Sequence, residues 1–240
     1  MSWHTTYRPT KFGEMALYPE LRTWLEMYEA TGEFDHLLFY GDVGTGKTTA
    51  AYILANAVMD DFSVDRNVID CADRPGIQEF KSNVVKIGHS TSGLVRFMSG
   101  NNREVYILDE FHKLPNVTQT TLNAVLEKDE GAATCIFCVN DINEVEKPIV
   151  SRTQTLRFDI GFYDEPKDKL DMHNYVDCSI DEWKEELRRI GRIVCKKHDV
   201  KPDKKIEDMT LSNDSYATEV RAYIRALEKN YQKVGFYEKK

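Results

Sequence analysis

The stretch Gly41-Asp42-Val43-Gly44-Thr45-Gly46-Lys47-Thr48, entered from the apolar run Leu37-Leu38-Phe39-Tyr40, decides the fold. A buried strand delivers the chain into a glycine-rich turn, the turn's N–H groups surround a phosphate, and a helix beginning near Lys47 adds its positive dipole end. The pattern is a complete P-loop, in the strand-then-helix context that it requires. The chain is therefore expected to bind a nucleoside triphosphate through Asp42, Val43, Gly44, Thr45, Gly46, Lys47, Thr48 and Thr49.

Three more short apolar runs read as buried strands: Asn67-Val68-Ile69-Asp70, Glu104-Val105-Tyr106-Ile107-Leu108-Asp109 and residues 134–139. A fifth, Thr155-Leu156-Arg157-Phe158, is less apolar. Continuous apolarity without alternation means cover on both faces, hence a parallel sheet with crossover helices. Helical spacing places Leu21, Trp24, Leu25 and Tyr28 on one face of a helix over 19–29, and the helix after the loop is expected over 47–59. Beyond about Ile160 the texture changes to charged helical segments, with Pro166 marking a boundary. Ser179-Ile180-Asp181-Glu182 is a capping-box pattern that opens a helix to about Lys197, with Trp183, Leu187, Ile190 and Val194 along one side. A last helix from about Tyr216 carries Val220, Ile224, Leu227 and Tyr231 as its packing stripe. The expected architecture is α/β: a P-loop domain with a five-stranded parallel sheet over 1–160, followed by a small all-helical lid over 161–240.

The run 104–109 ends in adjacent carboxylates, Asp109 and Glu110. Hydrolysis of ATP needs Mg²⁺ across the β- and γ-phosphates and a positioned water, and two acids at one strand's carboxyl end can divide those tasks. Asp109, with the hydroxyl of Thr48, is expected to hold the metal, and Glu110 to polarise the attacking water. Asn140 closes the run 136–140; in an ordered sheet its amide lies beside Glu110 and could orient the same water, or it is simply a turn former.

The net charge of −8 over 240 residues argues against a domain that coats nucleic acid by itself, since phosphate contact shows as a basic surface. It leaves room for a local basic patch and suits a protein whose companions are proteins. Five cysteines, at 71, 135, 138, 178 and 195, are an odd set behind no charged-then-apolar leader, which suggests a reducing cytoplasm rather than a disulfide framework. Cys135 and Cys138 have metal-like spacing but fall in one apolar strand with no second pair, so zinc is not expected. No stretch approaches the ~20 apolar residues of a membrane span, so an integral membrane protein is not expected.

Tyr7-Arg8-Pro9-Thr10-Lys11-Phe12, the P-loop run 38–49, Cys71-Ala72-Asp73-Arg74-Pro75-Gly76-Ile77, Ile107-Leu108-Asp109-Glu110, Asn140 and Pro148-Ile149-Val150-Ser151-Arg152 stand in the order and spacing of the clamp-loader ATPases. In these features the chain resembles the AAA+ subunits exemplified by the small subunits of replication factor C and by phage clamp-loader large subunits. The likeness runs from residue 1 to about 230, the span of that family's ATPase and lid domains. It implies an ATP-driven spiral that opens a ring-shaped sliding clamp, admits primer-template DNA, and releases both on hydrolysis. It implies further that Tyr7, Arg8 and Pro9 lie against the adenine and that Asn140 is the sensor 1 residue reading the γ-phosphate. Arg152 corresponds to the arginine that reaches into a neighbouring subunit's nucleotide. Arg221, in Ala217-Thr218-Glu219-Val220-Arg221, corresponds to sensor 2 of the lid, or is a helix-face cation paired to Glu219. The partners implied are the clamp, primer-template DNA and other loader subunits, in a pentamer. Lys81, Lys86 and Lys113 are the counterparts of DNA-facing positions, or solvated lysines; phosphate tracking by them would be salt-sensitive and sequence-tolerant.

Two departures stand out. The family's Ser-Arg-Cys reads Ser151-Arg152-Thr153, and the sequence is expected to stop short of the helical collar that holds such pentamers together, the collar being either absent or cut away. A loader of another client, such as a replicative helicase, fits the missing collar. A non-hydrolysing nucleotide-dependent scaffold is the remaining alternative, against which the intact Asp109-Glu110 pair speaks.

Overall fold

The computed structural model describes residues 2–72, 104–127, 133–159, 178–212 and 219–234. In chain order its main elements are α1 (Pro19–Thr31), β1 (Leu37–Tyr40), α2 (Lys47–Val58), β2 (Val68–Asp70), β3 (Glu104–Asp109), α3 (Asn116–Leu126), β4 (Ala133–Val139), β5 (Gln154–Arg157), α4 (Ile180–Lys197), α5 (Lys204–Leu211) and α6 (Val220–Lys233). Single helical turns occupy Trp3–Thr6, Val64–Asn67 and Lys147–Val150. By their contacts the residues form two compact units: Leu25–Asp42 with Lys47–Phe158, and Met1–Trp24 with Val43–Gly46 and Asp159–Lys240.

The first unit holds a five-stranded sheet in the order β2-β3-β4-β1-β5. Every pairing is parallel. The registers Ile107↔Ile136 and Leu37↔Ile136 put the apolar centres of β3, β4 and β1 side by side. All seven residues of β4 are buried, as a strand covered on both faces requires. One face packs Leu38, Leu108, Phe111, Leu122, Cys135, Phe137 and Ile149 into a common core, with Phe111 edge-on to Phe137 at 4.8 Å. In the same unit the polar side chain of Gln119, on α3, is fully buried. Its amide donates to the carbonyls of Leu114 (3.1 Å) and Glu144 (3.2 Å), and its oxygen accepts the N–H of Glu146 (3.0 Å). Two connecting stretches, at Leu114 and at 144–146, are thereby tied to one helix position.

The second unit contains the helices of the tail. Ser179 and Glu182 form the expected reciprocal cap at the start of α4, and its buried side is Trp183, Leu187, Ile190, Val194 and Cys195, with Gly191. In α6 the buried side is Tyr223, Ile224, Leu227 and Tyr231. Val220, expected in that stripe, is only half-buried; the fourth place goes to Tyr223, four residues before Leu227 and so on the same face. Trp24 also departs from expectation. It is 38% exposed, while Leu21, Leu25 and Tyr28 carry the packing of α1.

The opening segment belongs with the tail helices, a departure from a simple division at residue 160. Trp3 stacks on His198 at 5.1 Å and leans on Tyr231, and its backbone N–H donates to the Glu228 carboxylate. Arg189 donates to the carbonyl of Met15 and, with Arg22, grips Glu186. The residues that look like an irregular arm in one dimension thus have a buried aromatic anchor and two arginine clamps.

Candidate nucleotide site

Parallel sheets place their chemistry beyond the carboxyl ends of the strands. At that edge of the sheet-bearing unit, β1 ends in Gly41, β3 in Asp109 and Glu110, and β4 in Asn140. Lys47 opens α2 with its side chain folded back, Nζ donating to the carbonyls of Gly41 (2.7 Å) and Asp42 (2.8 Å). The ammonium is almost fully buried, which is tolerated because both carbonyls satisfy it.

Thr48 Oγ donates to Asp109 Oδ1 at 3.0 Å, and the same oxygen accepts the N–H of Glu110 at 3.1 Å. Burial pushes the Asp109 carboxyl above its ordinary value; the Thr48 and Glu110 hydrogen bonds oppose this, and the charges of Glu110 and Asp70 add to it. A hydroxyl and a hard carboxylate side by side, with the carboxylate under desolvation stress, are a donor set suited to Mg²⁺ completed by phosphates and water. Among the described residues there is no cluster of three or more His, Cys, Asp or Glu that could hold a metal ion.

Glu110 has φ 53° and ψ 33°, in the left-handed region. For a non-glycine residue this costs ~1–3 kcal/mol and persists only where the surroundings impose it. The turn aims the carboxylate away from the strand direction, and its Oε2 lies 3.5 Å from Nε2 of His112. His112 also meets Asn140: the Asn140 N–H donates to Nδ1 at 3.3 Å, and the Asn140 side-chain amide is 3.3 Å from Nε2. Burial pushes the imidazole below its ordinary pKa, Glu110 opposes, and Lys113 and Lys47 add to the depression, so at neutral pH the ring is neutral. Asn140 does come beside Glu110, as the strand order demands, but through His112. Sequence reasoning missed His112 because a histidine in a short turn carries no pattern; the available signal was its place three residues past Asp109, opposite the end of β4.

The loop residues Val43–Gly46 count with the second unit. Thr45 is buried and Val43 exposed. Gly44 has φ +84° and Gly46 φ +105°, which side chains rarely adopt. Space is also refused: a Cβ on Gly44 would sit 2.5 Å from Oε1 of Glu219, and one on Gly46 2.8 Å from the methyl of Met15. Glu219 immediately precedes α6, in which Arg221 is exposed and makes no ion pair among the described residues. Its expected alternative partner, Glu219, lies against Gly44 instead.

Tyr7 is buried, its hydroxyl donating to the Glu14 carbonyl at 2.8 Å and its ring facing the Lys197 ammonium; Arg8 is exposed and Pro9 half-buried. Arg152 pairs with Glu127 at 2.7 Å and donates to the Pro148 carbonyl at 3.0 Å. Lys113 is exposed. Lys81 and Lys86 lie outside the described residues, as do residues 73–77 of the quoted motif. The cysteines at 71, 135, 138 and 195 are buried and Cys178 half-buried, all as free thiols. No helix among the described residues is long and apolar enough to cross a membrane.

Residues 37–160 match the ATPase family associated with various cellular activities (AAA). Over 158 residues, 65% of its length, the chain is 30% identical to replication factor C small subunit 2 of Pyrobaculum arsenaticum, covering 47% of that protein. It is 29% identical over the same extent to the Pyrobaculum aerophilum protein of that name (48% covered), and 27% identical over 157 residues to the replication factor C small subunit of Halobacterium salinarum (47% covered). The chain therefore spans about half the length of the curated relatives it matches. In structure it resembles the RuvB Holliday junction branch migration motor of Thermotoga maritima, with TM-score 0.58 and 20% identity over 90% of this chain and 61% of that one. Domain III of the replication initiation protein DnaA from the same organism gives TM-score 0.57 and 18% identity, over 94% and 90% of the two chains. These two likenesses speak to the fold.

Proposed function

Because this chain belongs to the AAA family of ATPases, we propose that it is an ATP-driven subunit of a sliding-clamp loader, acting in DNA replication. The observation that carries the chemistry is the bond between Thr48 and Asp109 with Glu110 set beside it in a strained turn. What supports the client is the likeness to replication factor C small subunits.

Thr48 and Asp109 would hold Mg²⁺, which would supply positive charge to the triphosphate. Lys47 turns its ammonium from the loop carbonyls to the phosphates. The amides of residues 43–49 bind the chain of phosphates, with Asp42 at the loop's entrance and Tyr7, Arg8 and Pro9 serving the adenine. Glu110 accepts the proton of the attacking water, and Asn140 reads the γ-phosphate. Arg152 acts on the nucleotide of an adjoining subunit and Arg221 on its own chain's γ-phosphate. Primer-template DNA is held by phosphate contacts to which Lys81, Lys86 and Lys113 contribute, in a spiral with other loader subunits, and the helical tail serves as the lid. Such coupling requires that ATP favour the spiral over the resting arrangement.

Glu110→Gln tests the chemistry. It should keep ATP bound while turnover falls by roughly 10²–10⁴-fold, the span of a positioned general base; unchanged turnover removes the assignment. Stimulation by primed DNA that rises further with a sliding clamp supports the client. Stimulation by a replicative helicase instead would reassign the chain to another kind of AAA loader.

A further inference from the structure

His112 is the residue at this site that the sequence pattern does not explain. Its side chain is 3% exposed, with Nδ1 accepting the Asn140 N–H and Nε2 lying 3.5 Å from the Glu110 carboxylate. Counting donors fixes its protonation. A peptide N–H can only donate, so the Asn140 N–H obliges Nδ1 to accept, and a neutral imidazole then carries its proton on Nε2. Two groups lie in reach of that proton: the Glu110 carboxylate at 3.5 Å and the Asn140 side-chain amide at 3.3 Å. A donor at Nε2 demands an acceptor, so the amide must turn its oxygen to the ring, leaving its NH₂ to donate elsewhere. Asn140 and Glu110 thus compete for one proton.

We propose that His112 is a positioning residue that couples Asn140 to Glu110, so that engagement of the Asn140 amide by nucleotide determines how firmly Nε2–H holds the Glu110 carboxylate. The inference rests on the roles given above to Glu110 and Asn140. While the Asn140 oxygen takes the Nε2 proton, Glu110 is loosely held. When the amide is drawn to a phosphate, Nε2–H is left to Glu110 and orients the carboxylate for the water. The left-handed backbone at Glu110 fixes where the side chain starts, and the imidazole fixes where it ends. Misplacing a reacting group by about 1 Å can cost ~10²-fold in rate, which sets the scale of the effect.

The test uses the full chain with Mg²⁺-ATP and measures nucleotide Kd, kcat and KM for three variants. His112→Ala removes both contacts. His112→Asn keeps an acceptor where Nδ1 stands but no donor for Glu110, whereas His112→Gln keeps a donor near Nε2. Expected are a Kd within about twofold of the parent throughout, and a kcat reduced ~10–10²-fold in the Ala and Asn variants and restored to within about fivefold by Gln. In a Glu110→Gln background His112→Ala should lower kcat no further, because the two act as one unit. Wild-type kcat in His112→Ala, when Glu110→Gln is itself inactive, overturns the coupling. Equal loss of ATP binding in all three variants also overturns it, by showing a structural role only. Should Glu110→Gln be fully active, the failure lies with the assigned base rather than with His112.

Discussion

Replacing Gln119 by alanine should cost the sheet-bearing unit about 3 kcal/mol, because three neutral hydrogen bonds at ~1 kcal/mol each are lost from a fully buried side chain. The carbonyls of Leu114 and Glu144 and the N–H of Glu146 then lose their side-chain partner. For a unit of this size each kcal/mol is worth ~2–4 °C, so thermal melting followed by circular dichroism should fall by roughly 6–12 °C. Amide exchange on β4 offers a local readout: if its protection arises from opening of the unit, exchange should quicken by about 10²-fold. Gln119→Met keeps most of the volume and so isolates the polar loss; it should recover only the part of the deficit due to packing. Tryptophan emission is unsuited to this measurement, since Trp3, Trp24 and Trp183 all belong to the other unit. A drop below about 2 °C for the alanine variant would refute the reasoning, by showing that the three backbone groups find other partners.

Two further outcomes are expected. Asp109→Asn should raise the melting temperature of the nucleotide-free protein at neutral pH while abolishing its Mg²⁺-dependent response to ATP. The sign follows from burial: the folded pKa of Asp109 lies above the unfolded value, so its favourable contribution is complete below about pH 4 and is lost as pH rises through the folded pKa. The stabilising effect of Asn should therefore vanish in acid, and a gain that persists at pH 3 would contradict it. Arg152→Ala should leave the melting temperature within a degree or two, because the Arg152–Glu127 pair is largely solvent-facing. It should lower turnover only in assemblies, and an equal loss in dilute monomer would contradict a role in trans.

The sheet was legible because its strands are buried on both faces: β1 and β3 begin and end at the residues expected, β2 and β4 differ by one residue at the start, and β5 is shifted by one. Asp109 beside Thr48 was legible because a P-loop and an acid-ended strand in a parallel sheet have little choice of meeting place. What lies across the chain was not. That Trp3 seeks His198, that Glu219 rests on Gly44, and that Arg152 finds Glu127 are choices of tertiary packing with no periodic trace. Trp24 and Val220 mark the limit of periodicity, since a helix stripe a few residues wide leaves its rim positions to be settled by the neighbouring surface.

The grip of Gly41 and Asp42 on Lys47 bears on how sharply the protein can respond to its fuel. An ammonium already withdrawn from solvent need not be dehydrated again when a triphosphate arrives; one pair of oxygens is traded for another. Affinity is then the difference between two sets of acceptors, a quantity small enough for modest shifts in loop shape to tip, so charging and discharging the site need no deep energetic well on either side.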